Sequence, residues 1–223
     1  MGFWLIHVQL PGITNNPVYI LIPLPMCRIK LITILFFPFI IFGCKKNSTG
    51  PGINTMLAEA DSFIQYTIPQ GAHYADKTIL KQVELKELKF RVRFDSTAIY
   101  TTTIAVNQLD INKLYGFSDG GDHHLNSARI GWGWSNNALR LYAYAYTSGV
   151  RESAEITTVP LGATINCSVG VSANKYLFTV NGIKQELVRT NNSELVTGYQ
   201  LYPYFGGDEV APHEIHIAIM EIK

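Results

Sequence analysis

The sequence predicts an all-β sandwich of two antiparallel sheets for residues 62–223, and two observations carry that prediction. Short segments of alternating apolar and polar residues recur along this region, separated by clusters of glycine, proline and asparagine. Such segments are typical of half-buried strands. Helical patterns are also scarce, because Leu80–Leu88 is the only helix candidate. Many short strands joined by turns favour a sandwich or a barrel.

The direction in which individual side chains point follows from the alternation. In the segment 88–94, Lys89, Arg91 and Arg93 are predicted to face solvent, with the apolar residues between them facing inward. Two later segments alternate in the same way. The inward residues predicted from all three segments are Leu88, Phe90, Val92, Phe94, Ile165, Cys167, Val169, Val171, Ile215, Ile217 and Ile219.

A hairpin signal and two neighbouring segments carry a resemblance to a known fold. The segment 175–182 ends in Asn181-Gly182, a strong signal for a two-residue hairpin turn. Together with the preceding segment 160–169, it resembles the paired strands of concanavalin A-like lectin and glucanase domains. The stretch Tyr202-Pro-Tyr-Phe-Gly-Gly207, followed by Ile215–Ile219, is similar to their terminal strands. The resemblance spans residues 62–223 and implies a concanavalin A-like jelly roll, a fold shared by lectins, hydrolases and lyases.

The distribution of charge separates the first 43 residues from the rest. They contain no acidic residue and only two basic ones, Arg28 and Lys30. From Cys44 onward the chain has 16 basic and 17 acidic residues, a net charge of −1. A general nucleic-acid-binding protein needs a basic excess to neutralise phosphates, so this class of protein is excluded. The chain beyond residue 43 is long enough for one well-buried core.

A targeting segment is predicted at residues 26–43. The basic start at Met26 is followed by an apolar run that is too short to span a membrane. Ile41-Phe-Gly-Cys44 resembles the lipobox of bacterial lipoproteins, which implies cleavage before Cys44, lipidation of Cys44 and a membrane anchor. The Lys-Lys pair after Cys44 indicates the outer membrane, and the motif resembles lipoproteins of Bacteroidetes-like bacteria. Residues 1–25 are expected to precede the true start, and residues 44–61 to form the tether.

Aromatic residues are candidates for carbohydrate binding. Alternation in 139–146 places Tyr142, Tyr144 and Tyr146 on one face of a strand, and the partner strand of the hairpin carries Trp132 and Trp134. Sugars stack on aromatic rings and form hydrogen bonds with their polar tips. Alternatively, these rings fill the core. The predicted ligand-binding residues are Arg129, Trp132, Tyr142, Tyr144, Tyr146, Tyr202 and Tyr204.

A glycine-rich loop before the tryptophan hairpin contains several polar side chains. Asp119 and Asp122 are candidate calcium ligands, although their spacing does not match an EF-hand loop. The adjacent His123 and His124 would point to opposite faces of a strand, so at most one of them is expected to serve a site. A solvated turn without metal is the alternative.

Two catalytic hypotheses were tested against sequence motifs. Laminarinase-like glycosidases carry Glu-x-Asp-x-x-Glu, but here the only Glu-x-Asp is Glu59-Ala-Asp61, followed by Ile64. Alginate-lyase-like proteins carry Gln-Ile-His and a later Tyr-Phe-Lys-Ala-Gly. Here Glu214-Ile-His216 and Tyr204-Phe-Gly-Gly are partial matches in reversed order. If the protein is a lyase, the predicted catalytic residues are His124, Arg129 and Tyr144, as base, carboxylate neutraliser and acid.

These observations predict a lipid-anchored polysaccharide-binding protein of the cell envelope. A polysaccharide lyase is the alternative function, and a structural or adhesive surface protein is the third. A set of proton-abstracting side chains on the binding face would favour the enzyme, whereas aromatic residues without such a set would favour the binding module.

Overall fold

The computed structural model describes residues 3–8, 18–23 and 63–223, within two units, Met1–Thr49 and Gly50–Lys223. In the first unit, β1 (Phe3–Val8) pairs antiparallel with β2 (Val18–Pro23). The predicted signal peptide, the acylation of Cys44 and the tether lie outside the described residues and stay predictions. Among the residues that are described, no helix is long and apolar enough to cross a membrane.

The second unit is a sandwich of two six-stranded sheets. Its strands are β3 (Ile64–Ile68), β4 (Gln82–Leu85), β5 (Glu87–Phe94), β6 (Asn112–Ser118), β7 (Ser127–Ser135), β8 (Ala138–Thr147), β9 (Val150–Val159), β10 (Ile165–Ser172), β11 (Lys175–Val180), β12 (Ile183–Val188), β13 (Val196–Leu201) and β14 (Ile215–Ile222). Two short 3₁₀ turns, Ser96–Ala98 and Ala105–Leu109, interrupt them. The predicted all-β jelly-roll sandwich is confirmed.

The sandwich consists of a back sheet and a front sheet. The back sheet has the strand order β12-β11-β10-β5-β14-β3, and the front sheet has the order β4-β13-β6-β7-β8-β9. All the pairings within them are antiparallel. The core lies between the sheets, where Phe94 of the back sheet contacts Trp132 of the front sheet at 5.4 Å between ring centroids.

The strand faces predicted for the back sheet are confirmed. Phe90, Val92 and Phe94 on β5 are fully buried, and so are Ile215 and Ile217 on β14. The remaining predicted inward residues of β5, β10 and β14 are buried as well. The polar side chains between the apolar ones of β5 point to the opposite face, as the two-residue period of a strand requires.

Hairpin turns also follow the sequence signals. Asn136 and Asn137 join β7 to β8 with φ values of 50° and 58°, and Asn181-Gly182 joins β11 to β12 with φ values of 46° and 86°. Positive φ at both central residues is the type I′ geometry, which asparagine and glycine tolerate best.

The helix candidate Leu80–Leu88 is wrong. Its residues form β4 and the start of β5. Along β4, the exposed Gln82 and Glu84 alternate with the half-buried Val83 and Leu85, which is the two-residue period of a strand. β4 pairs antiparallel with β13. Pairing with a strand far away in sequence therefore decides the conformation of this segment.

Candidate functional site

Strand β8 presents a row of tyrosines to the outer face of the front sheet. Ala143 and Ala145 are fully buried in the core, so Tyr142, Tyr144 and Tyr146 point the other way. Tyr142 and Tyr146 are half-buried, whereas Tyr144 is only 2% exposed. The three tyrosines therefore share a face, as predicted. However, the Tyr144 ring is much less exposed than a ring that stacks on a sugar was expected to be.

Arg129 on β7 lies beside this row. It is paired in register with Tyr144, and its guanidinium carbon is 5.7 Å from the centroid of the Tyr144 ring. On the other side Arg129 pairs with Gly116 of β6. A Cβ atom at Gly116 would lie 2.1 Å from the Ala128 carbonyl oxygen and 2.6 Å from the Arg129 Cβ, so only glycine fits beside the arginine.

The tryptophans of β7 lie on the opposite face. Trp132 is fully buried in the core against Tyr100 and Phe205, and Trp134 packs against the same core. The predicted ligand-binding role of Trp132 is therefore wrong. Alternation groups the two tryptophans correctly, but it does not say which face of the hairpin is buried.

A β-bulge brings Lys113 to the same outer face. The register of β6 against β7 shifts between Lys113 and Tyr115, and Leu114 and Tyr115 are both buried in the core. Without the bulge, Lys113 would share the inward face of Tyr115. With it, Lys113 pairs with Gly131 and lies with Arg129 on the outer face.

Lys113, Arg129, Tyr144 and Tyr146 line a cleft of about 410 Å³ on the outer face of the front sheet, whereas Tyr142 is not among its lining residues. Its floor is formed by β6, β7, β8 and β13, and its walls by residues of the β3–β4 and β6–β7 connections and by residues 202–207. The lining residues are Tyr74, Thr78, Ile79, Leu80, Lys113, His123, His124, Arg129, Tyr144, Tyr146, Tyr199, Gln200, Leu201, Tyr202, Pro203, Tyr204 and Gly207.

The two cations of the cleft floor have no anionic partner within the described part of the chain. Arg129 is 6% exposed, its Nε atom has no hydrogen-bond partner, and burial lowers its pKa. The ammonium of Lys113 is placed 5.1 Å from the ring centroid of Tyr144 and 5.6 Å from that of Tyr204. A buried charge without a partner is costly, so this arrangement is suited to an anionic ligand.

Arg189 shows what a satisfied buried arginine looks like in the same molecule. Its Nε donates to Asp119 Oδ2 at 2.7 Å and its Nη2 donates to Asp119 Oδ1 at 3.1 Å. Three backbone carbonyl oxygens accept the remaining bonds of the guanidinium, those of Ala173, Ser193 and Leu195. Tyr176 also donates to Asp119, at 3.0 Å.

The predicted calcium site is therefore wrong at Asp119. Its carboxylate is buried and occupied by Arg189 and Tyr176, so it has no free oxygen to offer a cation. Asp122 accepts a hydrogen bond from the backbone of His124, as in an ordinary turn. Across the described residues, no group of three or more His, Cys, Asp or Glu side chains is placed to hold a metal ion.

Two histidines form one wall of the cleft. His123 Nδ1 lies 2.7 Å from the hydroxyl of Tyr199, and burial followed by the charge of Arg129 lowers the pKa of His123. His124 is exposed, and its ring lies 5.6 Å from that of Tyr146. Both histidines line the cleft, because they lie in a turn and not on a strand, so the expected opposite orientation does not apply.

The phenol of Tyr144 is held in its neutral form. Burial, and the neighbouring Tyr146, raise the pKa of Tyr144 to about 12. The ring of Tyr146 lies 6.0 Å from that of Tyr144. Near neutral pH, Tyr144 therefore carries a proton that it can donate but does not readily lose.

The two C-terminal tyrosines of the predicted set differ. Tyr204 borders the cleft, where its ring stacks on His73 at 5.2 Å and meets Tyr74 edge-on. Tyr202 is 7% exposed and packs with Tyr66 and Tyr115 in the core, and it also borders the cleft. The predicted ligand contact by Tyr202 therefore stays a prediction.

The partial match to the lyase histidine motif lies elsewhere. His216 is on β14 of the back sheet, where its Nε2 lies 2.7 Å from Glu214 Oε1. Neither residue lines the cleft. Glu209, in the glycine-rich loop after Tyr204, accepts bonds from the backbone nitrogens of Thr103 and Ile104 and so closes that loop.

The cleft residues outside the predicted set include Lys113, His123, Tyr199 and Tyr74. The sequence pointed to the histidine pair, but the choice of His123 over His124 needs the tertiary structure. Tyr199 lies on β13 beside Gly198 in Thr-Gly-Tyr, a stretch without a recognisable signal. Lys113 could not be assigned, because the bulge reverses its face.

The fold and the cleft thus define a jelly-roll sandwich with a cationic, tyrosine-lined cleft on one sheet. No protein-family model matches the sequence, and no curated protein matches it. Among solved structures, the chain is similar to the alginate lyase AlyC3, with a TM-score of 0.53 and 9% sequence identity over 74% of this chain and 75% of that chain. It also aligns with an alginate lyase from Pseudomonas aeruginosa, with a TM-score of 0.47 and 13% identity over 72% and 82% of the two chains. At such identities the likeness shows the fold alone.

Proposed function

We propose that the protein is a polysaccharide lyase that cleaves an acidic, uronate-containing polysaccharide at the cell envelope. The observation that carries this proposal is the combination of unpartnered cations and protonatable side chains in a cleft without acidic residues. Of the described residues that line the cleft, none is Asp or Glu. The fold shared with an alginate lyase is consistent with this proposal.

The charge of the cleft selects the class of ligand. Arg129 and Lys113 flank the ring of Tyr144, and the positive charge of Arg151 acts on the same tyrosine. The carboxylate of a uronate would pair with these cations and remove the cost of burying them unpartnered. A neutral glucan would leave that cost unrelieved.

The same composition argues against glycoside hydrolysis. That reaction ordinarily uses two carboxylic side chains on either side of the glycosidic bond. The cleft offers arginine, lysine, histidine and tyrosine instead. These groups suit β-elimination, which requires a cation at the substrate carboxylate, a base and an acid.

The proposed step cleaves the bond between C4 of the uronate and the glycosidic oxygen. Arg129 pairs with the carboxylate and stabilises the negative charge that develops when the base removes the proton from C5. The electron pair of the C5–H bond forms the C4=C5 double bond, and the C4–O bond breaks. The leaving oxygen takes a proton from the neutral phenol of Tyr144, whose pKa of about 12 keeps it protonated.

His123 is the better candidate for the base. Its lowered pKa keeps the imidazole neutral near pH 7, and Tyr199 orients the ring through Nδ1. Donation from Nδ1–H to the Tyr199 oxygen would leave Nε2 free to accept the C5 proton. His124, the base predicted from the sequence, is exposed and contacts Tyr146, so it is the second candidate.

A non-catalytic glycan-binding module, the function first predicted from the sequence, shares the anion-binding half of this proposal. The two hypotheses differ in the need for a base and an acid. A neutral histidine and a protonated tyrosine in the same cleft as Arg129 favour the enzyme, because binding alone requires neither group.

The test is incubation of residues 45–223 with alginate, polygalacturonate, polyglucuronate and a neutral β-glucan. Lyase activity forms a double bond conjugated with the carboxylate, so ultraviolet absorbance rises as the uronate polymer is cut. We expect cleavage of at least one uronate polymer and none of the glucan. Binding of a uronate polymer without cleavage would support the binding module, and no binding of any acidic polymer would refute both.

Matched variants assign the base. His123→Gln should reduce cleavage by about 10²-fold or more, the usual contribution of general base catalysis, whereas His124→Gln should have a smaller effect. Both should bind the polymer, because Arg129 and Lys113 remain. The reverse order of effects would make His124 the base.

The location at the cell envelope rests on the lipobox-like segment that ends at Cys44. A lipid anchor there would hold the domain at a membrane, with the outer membrane as the proposed site. This part of the proposal is independent of the cleft.

A further inference from the structure

The side chain of Lys113 is positioned in the cleft by neighbouring aromatic rings and by a glycine, none of which neutralises its charge. Its ammonium is placed between the rings of Tyr144 and Tyr204 and, within the described residues, takes part in no hydrogen bond or ion pair. A Cβ atom at Gly206 would lie 2.4 Å from Lys113 Nζ, so the absence of a side chain at Gly206 makes room for the ammonium. The position of Lys113 in the cleft floor is therefore set by the surrounding residues.

The charges that face Lys113 are mostly positive. The positive charges of Arg129 on β7 and Arg151 on β9 destabilise the ammonium form of Lys113. The negative charge of Asp110, just before β6, stabilises it. The carboxylate of Asp110 forms no ion pair with Lys113. The groups packed against Lys113 from β8 and from residue 204 are neutral phenols. The free cleft thus disfavours the charge of Lys113.

We propose that Lys113 is a second anion-binding side chain, and that it binds the anionic group of the ligand as an ammonium formed by proton uptake from solution. This inference rests on the proposed function, because it requires an anionic polysaccharide in the cleft. It adds a coupling between substrate binding and protonation that the lyase reaction does not need.

The protonation behaviour follows from the surroundings. Burial, together with the charges of Arg129 and Arg151, lowers the pKa of Lys113 to about 8. Above that pH the free cleft contains mainly neutral Lys113. A carboxylate placed beside it favours the ammonium and raises the pKa, so binding takes up a proton. Affinity should therefore fall as pH rises through about 8, while Arg129 keeps its charge.

The experiment is isothermal titration calorimetry of an alginate tetrasaccharide, with the oligomer of polygalacturonate as a second probe. The background is Tyr144→Phe, which keeps the ring beside Lys113 and removes the phenolic proton needed for cleavage. Titration at pH 8.5 in Tris and in EPPS, buffers of different ionisation enthalpy, measures protons taken up on binding. We expect net uptake that declines as the pH is lowered to 6.5.

Three variants identify the source of the proton. Lys113→Met should weaken binding by about tenfold or more, the order expected for loss of one charge-assisted hydrogen bond, and should abolish uptake. Lys113→Arg keeps a permanent charge, so it should retain binding at pH 8.5 without uptake. Lys184→Met, at an exposed position of β12, is the matched control and should behave as the background does.

The outcomes separate the two proposals. Binding of either probe with no proton uptake, or with uptake that persists in Lys113→Arg, overturns the role of Lys113 and leaves the proposed function standing. Absence of binding to both probes overturns both proposals. A thermal melt of each variant shows whether it is folded, and Lys113→Arg decides the matter if Lys113→Met is unfolded.

Discussion

Replacing Arg129 by methionine should make the protein more stable while abolishing its function. The guanidinium is 6% exposed, its Nε lacks a partner, and the described part of the chain places no carboxylate against it. Exchange of a buried ion pair for apolar side chains of similar volume is often neutral or stabilising by about 1–4 kcal/mol, and an unpartnered charge lacks even the attraction of a partner. Because Arg129 still lines the cleft and keeps some solvent contact, we expect the lower end, about 1 kcal/mol.

The matched comparison is Arg189→Met. This change would leave the buried carboxylate of Asp119 without its cation and would remove the hydrogen bonds to Ala173, Ser193 and Leu195. Breaking one side of a buried ion pair typically costs about 3–5 kcal/mol. Two arginines of the same domain, both nearly inaccessible, should therefore respond in opposite directions.

Urea denaturation and thermal melts measure both effects. A gain of 1 kcal/mol should raise the Tm of a domain of this size by roughly 2–4 °C. Uronate binding by Arg129→Met should be lost under the same conditions. If Arg129→Met instead loses about 2 kcal/mol or more, Arg129 has a structural partner, and the argument from its unpartnered charge fails.

Four further predictions concern the core, the proposed acid, the proposed base and the lipobox. Val92→Asp should unfold the domain, because Val92 is fully buried and an unpaired carboxylate there costs about as much free energy as the whole domain gains by folding. A thermal melt like that of the wild type would contradict this. Tyr144→Ala should lower the free energy of unfolding by about 3–5 kcal/mol, because the ring is 2% exposed. Tyr144→Phe should keep the Tm but lose cleavage, and cleavage equal to that of the wild type would exclude the phenol as the acid. Cleavage should decrease as pH falls through the pKa of His123, which burial holds below 6.5, since only neutral imidazole accepts a proton; an unchanged acidic limb in His123→Gln would argue against this base. Cys44→Ala should abolish palmitate labelling of the full chain in a bacterial host, and persistent labelling would disprove the lipobox.

The pH dependence of His123 also has a consequence for folding. Its pKa is lower in the folded protein than its ordinary value of 6.5, so the unfolded chain binds more protons between the two values. The contribution to stability is therefore present above about pH 6.5 and is lost as the pH falls through the folded pKa. Comparison of the wild type with His123→Gln between pH 7 and 5 measures this contribution.

Local pattern was sufficient for much of the fold. The two-residue period of β5 and β14 determined which of their side chains are buried, because successive side chains of a strand point to opposite faces. Asn-Gly at 181–182 determined a hairpin, because few other residues accept the positive φ values of that turn. The tyrosine row of β8 was also grouped correctly by its period.

The tertiary structure decided the composition of the site. Period alone could not say whether Trp132 or Arg129 faces the core, since that depends on which side the second sheet covers. The bulge in β6 places Lys113 on the outer face. Arg189, 70 positions away in sequence, pairs with Asp119, so Asp119 has no oxygen free to bind a metal ion. Alternation is a local property of the chain, whereas the pairing of charges depends on contacts between distant segments. The sequence by itself therefore determined most of the strands and which side chains share a face. Only the packed sheets decided which face is covered, which polar groups meet in the cleft and which are left without a partner.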